Sequence, residues 1–118
     1  MERLKRRQDF VAAAKAAYAA TPGMVVQARN RGDTMPARIG FTATKRLGKA
    51  VIRNRIKRRL REVARLYLRA NARAGFDYVL IGRAPTLDRP FADLHKDLTS
   101  ALKRLHHSRS PSAGKDAP

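Results

Sequence analysis

The chain has no cysteine and no tryptophan, and only 9 acidic residues stand against 27 lysines and arginines. Without cysteine it can hold neither a disulfide framework nor a thiolate metal site, which fits a reducing compartment. No apolar run approaches the roughly 20 residues that a membrane-spanning helix needs. The few acids are scattered, so no converging carboxylate cluster for metal-assisted hydrolysis can be read. What is present is positive charge. The formal net charge of +18 over 118 residues points to a polyanionic partner. The hydrophobic fraction of 43%, arranged with clear periodicity, argues for one folded domain with a modest core.

The opening MERLKRRQDF VAAAKAAYAA imitates a secretory signal, with a basic start, an apolar stretch and small residues at the end. Lys15 interrupts that stretch, Asp9 stands at its edge, and alanine is a weak substitute for leucine. The expectation is a helix of a cytoplasmic protein.

Phe10, Ala14, Ala17 and Tyr18 share one face of a helix expected over 8–18, which Pro22-Gly23 ends. MVVQAR (24–29) reads as a strand and NRGD (30–33) as a turn. ARIGFTAT (37–44) reads as a second strand that buries Ile39, Phe41 and Ala43. A long helix is expected over about 51–73. FDYVLIG (76–82) is apolar on both faces, which suits a central strand. The last helix, about 90–106, aligns Phe91, Leu94, Leu98, Leu102 and Leu105. The expected order is α-β-β-α-β-α, an α+β single domain over 1–107 with a small mixed sheet packed by helices. Residues 108–118, SRSPSAGKDAP, read as a disordered basic tail.

On the long helix Ile52, Ile56, Leu60, Val63 and Tyr67 form the core stripe, and Asn54, Lys57, Arg58, Arg61 and Arg65 lie opposite. A solvated helix normally mixes acids with bases for mutual support. From Lys45 to Arg73, Glu62 is the only acid against twelve bases. The apolar side lacks Trp and Phe, which argues against a membrane-surface helix. Nucleic acid is the better partner, because forked guanidinium groups suit phosphates. No helix-turn-helix pair, zinc-finger spacing or zipper points to DNA. Lys45, Arg46, Gly48 and Lys49 precede the helix, where its positive N-terminal end adds to an anion site.

The segment TKRLGKAVIRNRIKRRLREVARL (44–66) resembles the signature of the bacterial ribonuclease P protein subunit, the small basic partner of a catalytic RNA. RLKRRQDF at the start, RIGFTAT before the long helix and FDYVLIGR after it extend the resemblance over residues 3 to 106. The resemblance implies removal of the 5′ leader from precursor tRNA, with hydrolysis performed by the RNA subunit using Mg²⁺. It implies no catalytic residue, cofactor or metal on the protein, and precursor tRNA and the ribonuclease P RNA as partners, with no membrane or DNA. Carried over by position, Arg53, Asn54, Arg55, Lys57, Arg58, Arg61 and Arg65 face the RNA subunit. Phe10, Lys45, Arg46 and Lys49 border a leader cleft between the first helix and the sheet. The family often has aromatics where this chain has Ala14 and, on the first strand, Ala28. The family also carries a left-handed β-α-β crossover, against the general right-handed rule.

Other signals are decoys. GFTATKRLGK (40–49) has the wrong glycine spacing for a phosphate loop, and Ala50 replaces the Mg²⁺-binding hydroxyl. Asp93 and Asp97 are read as an exposed helix face. His95, His106 and His107 lack metal spacing, and the last two suit a helix C-terminal end as cations. Phe10 alone reads as core; the resemblance makes it a partly exposed stacking platform. The alternative function is a ribosome-associated or general structural RNA-binding protein with no role in tRNA processing.

Overall fold

The computed structural model describes residues 1–107; the expected tail at 108–118 lies outside the described residues. Five strands and their helices follow the order β1 (Glu2–Arg3), α1 (Arg7–Ala14), β2 (Ala17–Ala20), β3 (Met24–Asn30), β4 (Arg38–Thr42), α2 (Ala50–Val63), α3 (Arg69–Asn71), β5 (Phe76–Gly82) and α4 (Phe91–His107). They form one sheet of order β1-β4-β5-β3-β2. β4 pairs parallel to both β1 and β5, whereas β3 pairs antiparallel to β5 and β2. The sheet is therefore mixed and the architecture α+β, as the hydrophobic pattern anticipates. The apolar β5 is its central strand.

Two differences from the sequence reading have physical causes. The first helix stops at Ala14 rather than at 18, because Ala17–Ala20 pairs with β3 in register Ala17↔Ala28. Sheet pairing overrides the modest helix preference of alanine. A tight turn closes the hairpin: the Thr21 hydroxyl donates to the Met24 carbonyl at 2.7 Å, and the Met24 N–H donates back to that hydroxyl at 3.2 Å. β1 spans two residues, too short for an alternating pattern to reveal.

The second difference lies in the long helix. After α2 the chain passes through a π-helical stretch, Ala64–Leu68, before the short α3. The wider turn shifts the helix phase. Leu68 becomes fully buried, while the expected stripe residue Tyr67 is half-buried and stacks on His95 at 3.5 Å between ring centroids.

The main core lies on one side of the sheet, where α2 packs over β4 and β5 and α4 over β2 and β3. Met24, Val26, Tyr78 and Leu80 point into it and meet Ile56, Leu60, Leu94 and Leu98. The other side carries only the short α1. Leu4, Ala13 and Val79 form a small second cluster there, with Phe10 and Ile81 packed against it. Eight helical residues cannot cover five strands, so part of this sheet face stays open.

Candidate RNA interface

α2 presents its basic side to solvent. Asn54, Arg55, Arg58, Arg61 and Arg65 are exposed, and Lys57 is half-buried. Among the described residues, Arg55, Lys57, Arg58 and Arg61 have no ion pair or side-chain hydrogen bond. Arg65 is held by Glu62 at 2.9 Å, an exposed pair worth little. Arg53 is half-buried, and its Nε donates to the Gly48 carbonyl at 3.1 Å. Gly48, at φ 136°, adopts a conformation that favours glycine, and Arg53 fixes this entry to the helix. Arg59 is a structural residue too. It donates to the carbonyls of Thr86 at 2.8 Å and Arg89 at 2.6 Å, tying α2 to the segment before α4.

Lys45 and Arg46 lie in a short 3₁₀ turn, Lys45–Leu47, just past the end of β4, and both are exposed, as is Lys49. Lys49 is the N-cap of α2, and no side chain caps this terminus. The first N–H groups of α2 give this terminus a partial positive charge, and the exposed Lys45, Arg46 and Lys49 directly precede it in the chain.

The open face of the sheet is built by register. Ala20, Val25, Ile81 and Thr42 pair in one row across β2, β3, β5 and β4. Tyr18, Gln27, Val79 and Gly40 form the adjacent row. α1 covers the middle of this second row with Ala13 and Phe10. Phe10 lies directly on Gly40, where an added Cβ would approach its ring to 2.5 Å. A half-exposed apolar strip remains along Val25, Ile81 and Thr42, with Phe10 beside β4 and Tyr18 on β2. The strands beneath them, β4 and β2, are three strand spacings apart, roughly 14 Å. Tyr18 is 67% exposed, an aromatic ring with no packing reason to be there.

Ala28, one of the positions where a cleft aromatic is missing, points into the main core. Its neighbour Gln27 is half-buried on the opposite face, in the row that α1 partly covers. Ala14 is exposed on α1. The sequence reading placed Tyr18 on a helix and so missed it. The signal was an aromatic within a run of small residues directly before a Pro-Gly turn.

The far end of the same face is closed by charge. Arg38 holds Asp77 by two hydrogen bonds of 2.8 Å, and Arg31 adds a third at 2.5 Å. Burial pushes the Asp77 carboxyl up, but the bonds from Arg38 and Arg31 outweigh it and hold the carboxyl below its usual range. Asp97 is buried rather than exposed, paired with Arg89 at 2.6 Å. His106 is no cation at a helix end. Burial and nearby Arg73 lower its pKa to about 4, and its Nε2 lies 2.7 Å from the Tyr78 hydroxyl, which also accepts from the Arg73 N–H. The lowered pKa keeps the imidazole in its neutral form beside that hydroxyl. Among the described residues no group of His, Asp and Glu could hold a metal ion.

The family profile for ribonuclease P matches residues 1–106. The chain belongs to the ribonuclease P protein family. The "Ribonuclease P protein component" of Ruegeria pomeroyi is 52% identical over 106 residues, covering 87% of this chain and 85% of the relative. That of Gluconacetobacter diazotrophicus is 48% identical over 103 residues, covering 86% and 89%. Among solved structures, the RNase P protein of Staphylococcus aureus superposes with TM-score 0.71 at 29% identity, covering 89% of this chain and 95% of the other. The RNase P protein of Thermotoga maritima gives TM-score 0.71 at 30% identity, covering 88% and 97%. Within this family fold the exposed basic side of α2 and the open sheet face lie on different sides of the molecule, as two separate surfaces.

Proposed function

We propose that this chain is the protein subunit of ribonuclease P and assists a catalytic RNA in removing the 5′ leader from precursor tRNA. Family membership supports the partner class. The observation that carries the reading is the helix face of Arg55, Lys57, Arg58 and Arg61, cations with no partner of their own among the described residues. Self-repulsion of this kind is offset when phosphates neutralise it. Asn54 and Arg65 extend that surface, while Arg53 serves mainly to hold the loop at Gly48.

The single-stranded leader lies along the open strip of the sheet. Phe10 and Tyr18 supply faces on which bases stack, and Lys45, Arg46 and Lys49 contact its phosphates. Tyr18 takes the place of the absent cleft aromatics. The protein binds and orients; the phosphodiester bond is hydrolysed by the RNA subunit with its Mg²⁺, in the cytoplasm.

Site-specific photocrosslinking tests this arrangement. A benzophenone side chain at position 18 should label the leader of bound precursor tRNA, and one at position 58 should label the RNA subunit. Exchange of the two targets, or loss of both, would defeat the assignment.

A further inference from the structure

The sheet face that carries α2 runs out at its β1 edge, because β1 is only two residues long. A cavity of about 240 Å³ remains there, between β4 and the end of the long helix. Ile39, Phe41 and Ala64 form an apolar floor, and Arg3, Arg61 and Arg69 stand around it. Arg65 also lines it but is engaged by Glu62. Arg3 reaches it because Arg3 pairs with Ile39, and its guanidinium carbon sits 5.0 Å from the Phe41 ring centroid. Among the described residues, no acidic side chain lines the cavity. It is separate from the strip that carries Phe10 and Tyr18, which lies on the opposite face of the sheet.

An apolar floor with an arginine rim suits a ligand that has a flat, weakly polar body and an attached anion. The volume is below the roughly 300–1,000 Å³ of sites for drug-sized ligands, so one planar ring system fits better than a larger ligand. The cations are arginines, which stack on bases as well as fork onto phosphates. We propose that this cavity accepts one unpaired nucleotide of the RNA partner, its base stacked on the Phe41–Arg3 pair and its phosphate held by Arg61 and Arg69. The inference rests on the reading that the partner is RNA. It adds what the α2 face lacks, since phosphate contacts position a protein without reading a base.

Titration of the full-length ¹⁵N-labelled chain with adenosine 5′-monophosphate, ribose 5-phosphate and inorganic phosphate tests the site. Adenosine monophosphate should shift the amides of Ile39, Phe41 and Ala64, and bind at least about fivefold tighter than ribose 5-phosphate, as expected for one stacked base. Arg3→Ala and Phe41→Leu should each erase this preference, whereas Arg69→Ala should weaken both probes alike. Arg3 is exposed, so its variant decides if Phe41→Leu does not fold. Equal affinity for the two sugar phosphates in the native chain overturns the proposal. So does a base preference that survives Arg3→Ala, or shifts confined to the Phe10 and Tyr18 face. Arg61 belongs to both this cavity and the α2 face, so these variants leave it intact, and the crosslinks report the leader and α2 surfaces separately.

Discussion

The ring of Phe10 occupies the space that a side chain at position 40 would fill, for a Cβ on Gly40 would lie 2.5 Å from its Cε1. Phe10 is thus both a packing residue of the second cluster and, being half-buried, a partly open ring. Phe10→Leu separates the roles. It keeps apolar contact with Leu4 and Val79 and should cost less than about 1.5 kcal/mol. Holoenzyme affinity for precursor tRNA should still fall, while that for mature tRNA, which lacks a leader, stays constant. Equal losses for both would leave Phe10 as core only.

Tyr18→Ala should give a cleaner result. The side chain is 67% exposed, so the melting temperature should hardly move. Affinity for precursor tRNA should drop by roughly 1–3 kcal/mol, the worth of one stacked base, and Tyr18→Phe should restore it. Unchanged affinity in the alanine variant would remove Tyr18 from the leader surface.

Much of this architecture is legible in the sequence because burial imposes period. Strand 76–82 and the last helix stand out through continuous or 3.6-spaced apolar residues. Where the local signal and the tertiary context disagree, the reading fails. The alanine-rich run 12–17 favours helix, but a sheet edge claims Ala17 onward. The π-helical stretch exchanges Tyr67 for Leu68 in the core, a shift that no regular period anticipates. Charged residues are the least legible. Arg53, Arg58 and Arg59 look alike in sequence, yet only Arg58 of these three is free of a carbonyl partner.

That difference predicts opposite phenotypes along one helix. Arg58→Glu with Arg61→Glu should leave circular dichroism unchanged and weaken RNA-subunit binding, lowering the log–log salt slope by about 0.7–0.9 per lost phosphate contact. Arg59→Ala should instead lower the melting temperature, because the Thr86 and Arg89 carbonyls lose a charged donor, at roughly 1.5–3 kcal/mol per bond. Loss of fold in the double variant would contradict the orientation of α2.

Acid should destabilise the free protein in two stages. His106 has an ordinary pKa of 6.5 when unfolded and about 4 when folded, so the unfolded chain takes up its proton first as pH falls. Stability should decline between these values and level off below them. Asp77, held below its usual 3.8, adds a further loss as pH falls through its folded pKa, when the bonds to Arg38 and Arg31 are broken. His106→Gln should flatten the first decline and leave the second. Denaturant melts at stepped pH measure both, and an unaltered first stage in that variant would assign it elsewhere.

The most direct measurement is the rate of precursor tRNA cleavage by a bacterial ribonuclease P RNA at low Mg²⁺, with and without this protein. A protein that supplies the leader and RNA-subunit contacts should raise the rate strongly, while the protein alone, freed of RNA, cleaves nothing. RNA binding without any stimulation would contradict the account and leave a general RNA-binding protein in its place.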